Sequence, residues 1–447
     1  MSPVRTASNH RKVALVAGAR TKSRTPQAIP FHELLVPVVS KLPAYLRKRI
    51  DTVYLVHGYP FPLGCAFDFA SFLQQTGLSP NAELKREDSA RLGGLEMVHQ
   101  AIQELSGARN ASSTVLVIGG ELLDVTDRQK DPFDRQHRRN VLAECGGIPA
   151  ADVAVGLTTL SAHALVADAF FRHHRLSRDD MDELMERVTC HLEKYARANP
   201  NAYQHHRHSD APGGRKHHPI RAPFYKTQQD RTRKWPFTLF DICGLSHSEV
   251  AVVLTNDLEV ASHADSCIAE CVVSKPPTKR GRMLGQPALH QHQANVLAWG
   301  EMSARLRLKF DEPPMSPKWI LELVDMCAIQ LPMTLIEMGL CPDVRTVIQG
   351  FKNGFFDLAP TSDDLPPTVH AIPSSCRVLV NPSGGSKDSQ PLGAYGLVRA
   401  VECFQLLTGK TDLRQSPLVP GDQVGHAFVN TLSLSNTAAV LSLKGGR

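Results

Sequence analysis

The chain has 447 residues, 42% hydrophobic and 21% charged, with a formal net charge of +6 and a mean hydropathy of -0.20. This length allows a large core shared between two or three domains, and the composition is that of a globular protein. No apolar run reaches the ~18 residues of a membrane helix, and the positive charge is too small and dispersed for nucleic acid, though it suits an anionic ligand.

In chain order, no acidic residue precedes Glu33, whereas Arg5, Arg11, Lys12, Arg20, Lys22 and Arg24 do. Such a start reads as a mitochondrial address, with peroxisome and cytoplasm left open. "VALVAG" (13–18) and "DTVYLVHG" (51–58) are the short apolar runs of strands in a parallel sheet. "LGGLEMVHQAIQEL" (92–105) puts Leu95, Val98, Ile102 and Leu105 on one helical face. "STVLVIGGE" (113–121) is the next strand, and the alternation argues for an α/β domain.

From 125 to 235 the character changes to an inserted loop domain. It contains two helical stretches, the second opening on Ser177 with acidic first-turn residues, and then a polar loop rich in His, Gly and Pro. The α/β pattern resumes with "DICGLSHSEVAVVLTND" and "CIAECVVSK", and 276–287 reads as a linker. "PKWILELVDMCAIQLPMTLIEMGL" is strand then helix, "CRVLVNPSGG" strand then glycine loop, "PLGAYGLVRAVECFQLLTG" glycine turn then helix. "AFVNTLSLSNTAAVLSL" is a closing strand pair. "RLGGLEMVHQAIQEL" and "PLGAYGLVRAVECFQLL" form a faint repeat, each a Leu-Gly step into an amphipathic helix. This suggests two similar halves, 1–124 with 236–275 and 276–447, and a ligand between them.

Ten cysteines are scattered with no CxxC pair, mostly in apolar segments, as reduced thiols of an intracellular core are. Cys267 and Cys271 alternate with apolar residues and read as core rather than zinc ligands. His205, His206, His208, His217 and His218 lack a metal-ligand spacing, so no metal site is expected.

Several of these segments resemble the thiolase superfamily, especially its sterol-carrier-protein-type branch. "VALVAGARTKSRTPQ" is similar to the opening strand and turn, and "GGLEMVHQAIQEL" with "STVLVIGGEL" to the nucleophile helix and following strand. "DICGLSHSEVAVVLTND", "LELVDMCAIQLPMTLIEMGLCP" and "NPSGGSKDSQPLGAYG" are similar to three further family motifs. The resemblance implies a thiolase fold: two βαβαβαββ halves in five α/β/α/β/α layers, with an inserted loop domain. It also implies an oligomer, and acyl transfer between coenzyme A thioesters.

Carried over residue by residue, the family's chemistry is degraded. Arg91 stands at the nucleophilic cysteine, with Ser89 the nearest hydroxyl; a guanidinium is no nucleophile. Val324 stands at the oxyanion-hole histidine, or Asp325 if the register slips by one, and valine offers no donor. Gln390 replaces the base histidine and takes no proton near neutral pH. Asn430 or Thr431 matches the second acid/base, with His426 a few residues upstream. Such groups act as a unit, so losing them together leaves little rate enhancement.

The resemblance also assigns Gly384, Gly385 and Gly393 to close backbone approach to a ligand, and lets Lys226 and Arg231 meet coenzyme A phosphates. A solvated basic loop is an equal reading of those cations. Two functions follow as expectations. One is a non-catalytic subunit that needs no cofactor, binds a thiolase-like or other protein partner and retains coenzyme A or acyl-CoA only as a ligand. The other is an active acyl-CoA acyltransferase or lyase using Ser89, Tyr395 or His426.

Overall fold

The apolar runs become strands because each is flanked on both faces by helices, so β-branched side chains bury in both directions. A computed structural model describes residues 12–22, 31–57, 67–87, 94–107, 113–120, 148–202, 236–237, 241–243, 246, 248–276, 288–313, 318–356, 378–388, 393–410, 424–434 and 436–445. The first elements are β1 (Ala14–Arg20), α1 (Phe31–Ser40), α2 (Ala44–Arg47), β2 (Thr52–His57), α3 (Phe69–Thr76), β3 (Glu83–Glu87), α4 (Leu95–Ser106) and β4 (Thr114–Gly120). A helical block follows: α5 (Ala150–Val153), α6 (Thr159–His173) and α7 (Arg178–Ala198). Then come β5 (Val250–Thr255), α8 (Leu258–His263), β6 (Cys267–Ser274), α9 (Gln293–Leu306), β7 (Lys318–Glu322), α10 (Gln330–Glu337) and α11 (Val344–Lys352). The chain continues through β8 (Val378–Val380), α12 (Tyr395–Thr408), β9 (Val424–Ser433) and β10 (Thr437–Gly445).

The strand order is β3-β2-β4-β5-β1-β6-β10-β9-β7-β8. Read inward from either edge, each five-strand set runs third, second, fourth, fifth, first. The hydrogen bonding repeats too: β2 is parallel to β3 and β4 as β7 is to β8 and β9, and β4–β5 is antiparallel as β9–β10 is. β1 and β6 join the sets through Ala14↔Ile268 and Leu15↔Cys267. β6 pairs along its length with β10, so the second set begins ahead of position 276, where the sequence suggests a boundary.

Three cores give five layers. One packs α1, α3 and α8 on the outer face of the first set. The central core holds α4 and α12 between the two sets. The third packs α9, α10 and α11 on the outer face of the second set, and α6 and α7 share it. The helical block is thus fastened to the second set.

Sequence explains the helix ends. Thr158 and Ser161 form a capping box for α6, and Ser177 and Asp180 one for α7. The repeated Leu-Gly helices turn out to be the two central ones. They meet at their N-termini: a Cβ on Gly94, the cap of α4, would lie 2.5 Å from Leu397 of α12. No helix among the described residues is long and apolar enough to cross a membrane.

Candidate functional site

The loop after β8 turns back beside the end of β7, and α12 starts above both. Asn381 directs the turn from a left-handed φ of 45°. Its amide accepts from Leu323 N at 2.7 Å and donates to Leu323 O at 2.9 Å, extending the sheet with a side chain. The loop's first serine, Ser383, donates its N–H and its hydroxyl to Glu322, each at 2.9 Å. Ser386 does the same to Asp325, at 2.9 Å and 2.6 Å, and Tyr395 Oη donates to Asp325 at 2.9 Å.

Below this lies a buried ionic cluster. Arg20, the last residue of β1, donates to Asp388 at 2.8 Å and 3.2 Å, and also to Glu402 of α12. Arg399 of α12 reaches Asp388 at 2.8 Å, Ser383 Oγ by a short contact, and Glu322 at 3.9 Å. Burial dominates the electrostatics. It pushes Glu322 up to about 8, against the pull of Arg399, and raises Asp325 and Glu402 as well. Tyr395 lies well above the ordinary phenol range, from burial first and the Asp325 charge second.

The glycines of this loop face the chain itself. Gly384 has a φ of +94°, and a Cβ there would lie 2.4 Å from the backbone of Ala196 in α7. Gly385 has a φ of +53°, and a Cβ there would lie 2.0 Å from Asp325 Oδ2. α7 also anchors the loop through polar groups: Asn199 Nδ2 donates to Ser383 O at 3.0 Å, and His191 Nε2 to Val380 O at 2.7 Å. Gly393 is buried just before Ala394, the cap of α12.

The expected catalytic positions do not converge here. Val324 is buried in the outer core of the second set, while Asp325 beside it is the residue that meets the loop. Asn430 is turned the other way. Phe428 and Leu432, two residues to either side on β9, lie in the outer core, and Asn430 Nδ2 donates to Asn295 of α9 at 2.9 Å. Its place is thus across the sheet from α12, whereas Ala427 and Val429 face the central core. His426 shares the outer face, stacked on Phe428, with burial and Lys444 lowering it to about 4. Neither can act beside Tyr395. Ser89, Arg91, Lys226, Arg231 and Gln390 lie outside the described residues.

Sequence reasoning does not single out Arg20, Glu322, Asp388, Arg399 or Glu402 as site residues. A usable signal exists only for the helical ones: Arg399 and Glu402 are charges in an otherwise apolar helix. The described cysteines are free thiols, five of them buried. Among the described residues, no group of three or more His, Cys, Asp or Glu side chains could hold a metal ion.

No family model and no curated protein matches the chain. Solved structures do. An Ltp2-ChsH2(DUF35) aldolase matches with a TM-score of 0.69 at 15% identity, over 98% of this chain and 99% of that one. The dimeric peroxisomal thiolase of Saccharomyces cerevisiae matches with a TM-score of 0.59 at 13% identity, over 97% of each chain. A monomeric SCP2-thiolase like protein type 1 from Mycobacterium smegmatis matches with a TM-score of 0.58 at 13% identity, over 98% of this chain and 78% of that one. With the mirrored five-strand sets and the two central helices, these likenesses establish that the chain has the thiolase fold.

Proposed function

We propose that the protein is a thiolase-fold subunit that has lost the family's Cys/His acyl-transfer chemistry and works by binding a protein partner. The observation that carries this reading is the packing of the glycine loop. Ala196 and Asp325 occupy the space beside Gly384 and Gly385 where the resemblance expects a ligand. Val324 in the apolar core, at the position of an oxyanion donor, and Asn430 on the far face of the sheet support it. The DUF35 subunit in the aldolase's name supplies a precedent for a thiolase-fold chain working beside a second protein. The test is a thiolysis and condensation assay on the purified protein, alongside calorimetric titration with coenzyme A and a medium-chain acyl-CoA. No turnover above background is expected. Measurable turnover sinks the reading, and micromolar binding without turnover makes the acyl-CoA a ligand of the subunit.

A second reading, carbon–carbon bond cleavage of a β-hydroxyacyl thioester, is favoured by the higher TM-score to the aldolase. Tyr395, hydrogen-bonded to Asp325, would be its acid/base. Release of a carbonyl product from a β-hydroxyacyl-CoA, abolished by Tyr395→Phe, decides for it.

A further inference from the structure

Four carboxyl groups and two guanidiniums share one enclosure: Glu322, Asp325, Asp388 and Glu402 with Arg20 and Arg399, none more than 5% exposed. If every carboxyl group were ionised, two negative charges would be left uncompensated in a water-excluded space, which is strongly disfavoured. The cluster therefore retains protons at neutral pH. The pairing indicates where. Asp388 accepts from both guanidiniums and Glu402 from Arg20. Glu322 receives hydrogen bonds only from the neutral Ser383, and its ion-pair contact with Arg399 is long, at 3.9 Å.

The other titratable groups facing Glu322 are Glu402, Tyr395 and Cys403, all on α12. None of them favours its negative form. Ser383 meanwhile ties three parts of the molecule together. It clasps Glu322 at the end of β7, touches Arg399 of α12, and its carbonyl accepts from Asn199 beyond the end of α7.

We propose that Glu322 is a proton-held latch on the glycine loop: as the neutral acid it clasps Ser383, and once ionised it competes with Asp388 for Arg399 and frees residues 381–388. The step is one proton exchanged with water, and no other bond is made or broken. Burial raises the pKa of Glu322 to about 8, which puts the change on the alkaline side of neutrality. Because Asn199 is anchored to the same serine, the end of α7 loosens with the loop. The latch acts whichever ligand or partner the protein takes.

Amide hydrogen exchange of the full chain, corrected for the intrinsic pH dependence of exchange, tests this. Protection of 381–388 should fall roughly tenfold or more between about pH 6.5 and about pH 9, while the amides of β4 stay protected. Glu322→Gln, a neutral isostere, should keep the loop protected at both values. Loop protection that is independent of pH in the wild type, or an equal loss in the variant, overturns the proposal. An infrared pH titration of the wild type needs no variant: the C=O stretch of a protonated carboxyl group must disappear over the same range. Its absence at neutral pH also overturns the latch.

Discussion

Gly385 holds a φ of +53° with the Asp325 carboxylate where its side chain would begin, so two penalties coincide at one residue. Gly339 isolates one of them, with a φ of +83° and nothing within 4 Å of where a Cβ would stand. Gly385→Ala should cost roughly 2–4 kcal/mol from strain plus overpacking, and Gly339→Ala roughly 1 kcal/mol from strain alone. Urea unfolding of both variants measures the difference, and equal costs would mean that Asp325 does not constrain the loop. Arg20 poses the opposite problem. Arg20→Met leaves Glu402 without its ion-pair partner and Asp388 with only Arg399, and should cost about 3–5 kcal/mol, as removal of one partner from a buried pair does. A loss below ~1 kcal/mol in the same assay would place the cluster in the class of weak exposed pairs.

At the scale of elements, the contact between α4 and α12 fixes how the two halves meet. Gly94→Ala pushes a methyl group to within 2.5 Å of Leu397, at a φ of +86°. Leu397→Ala alone removes a fully buried side chain and should cost about 2–5 kcal/mol. In the double variant the cavity receives the new methyl group, so the combined loss should be smaller than the sum by roughly 0.5–3 kcal/mol. Strict additivity would show that the two helices do not press on each other here. The existence of both helices was legible from their 3.6-residue apolar periodicity and their Leu-Gly entries. Their contact was not, because nothing in a local apolar pattern records which other helix lies opposite.

For the whole molecule, pH acts from two sides. Glu322 titrates near 8 when folded against 4.5 for the free group, so the folded state holds the extra proton between those values. Its contribution is present in full below 4.5 and is lost as pH rises through 8, at up to about 1.4 kcal/mol per unit. His163 is the reverse case: fully buried, neither ring nitrogen with a hydrogen-bond partner, and lowered to about 3 from 6.5 by burial and by His292. The unfolded chain takes up that proton first, so stability falls as pH drops from 6.5 toward 3. Thermal melts should give a maximum near neutrality or just below it. Glu322→Gln should flatten the alkaline limb and His163→Leu blunt the acid limb. Limbs unmoved by these changes would assign the pH dependence to other groups.

By itself the sequence determined the α/β class, the central helices, the cap at Ser177 and the degraded motif positions, because each rests on residues a few positions apart. Local periodicity and capping chemistry act over that range. The tertiary structure alone decided which charges meet: Arg20 and Asp388 are 368 positions apart in sequence and 2.8 Å apart in space. It also decided which way Asn430 points. On a strand, successive side chains alternate between faces, so a shift of one residue separates the central core from the outer one. Pairing of β9 with β10 and packing against α9 fix that choice. The glycine loop shows the same division. Its residues announce close backbone approach, and only the folded chain shows that α7 and Asp325 are what approaches.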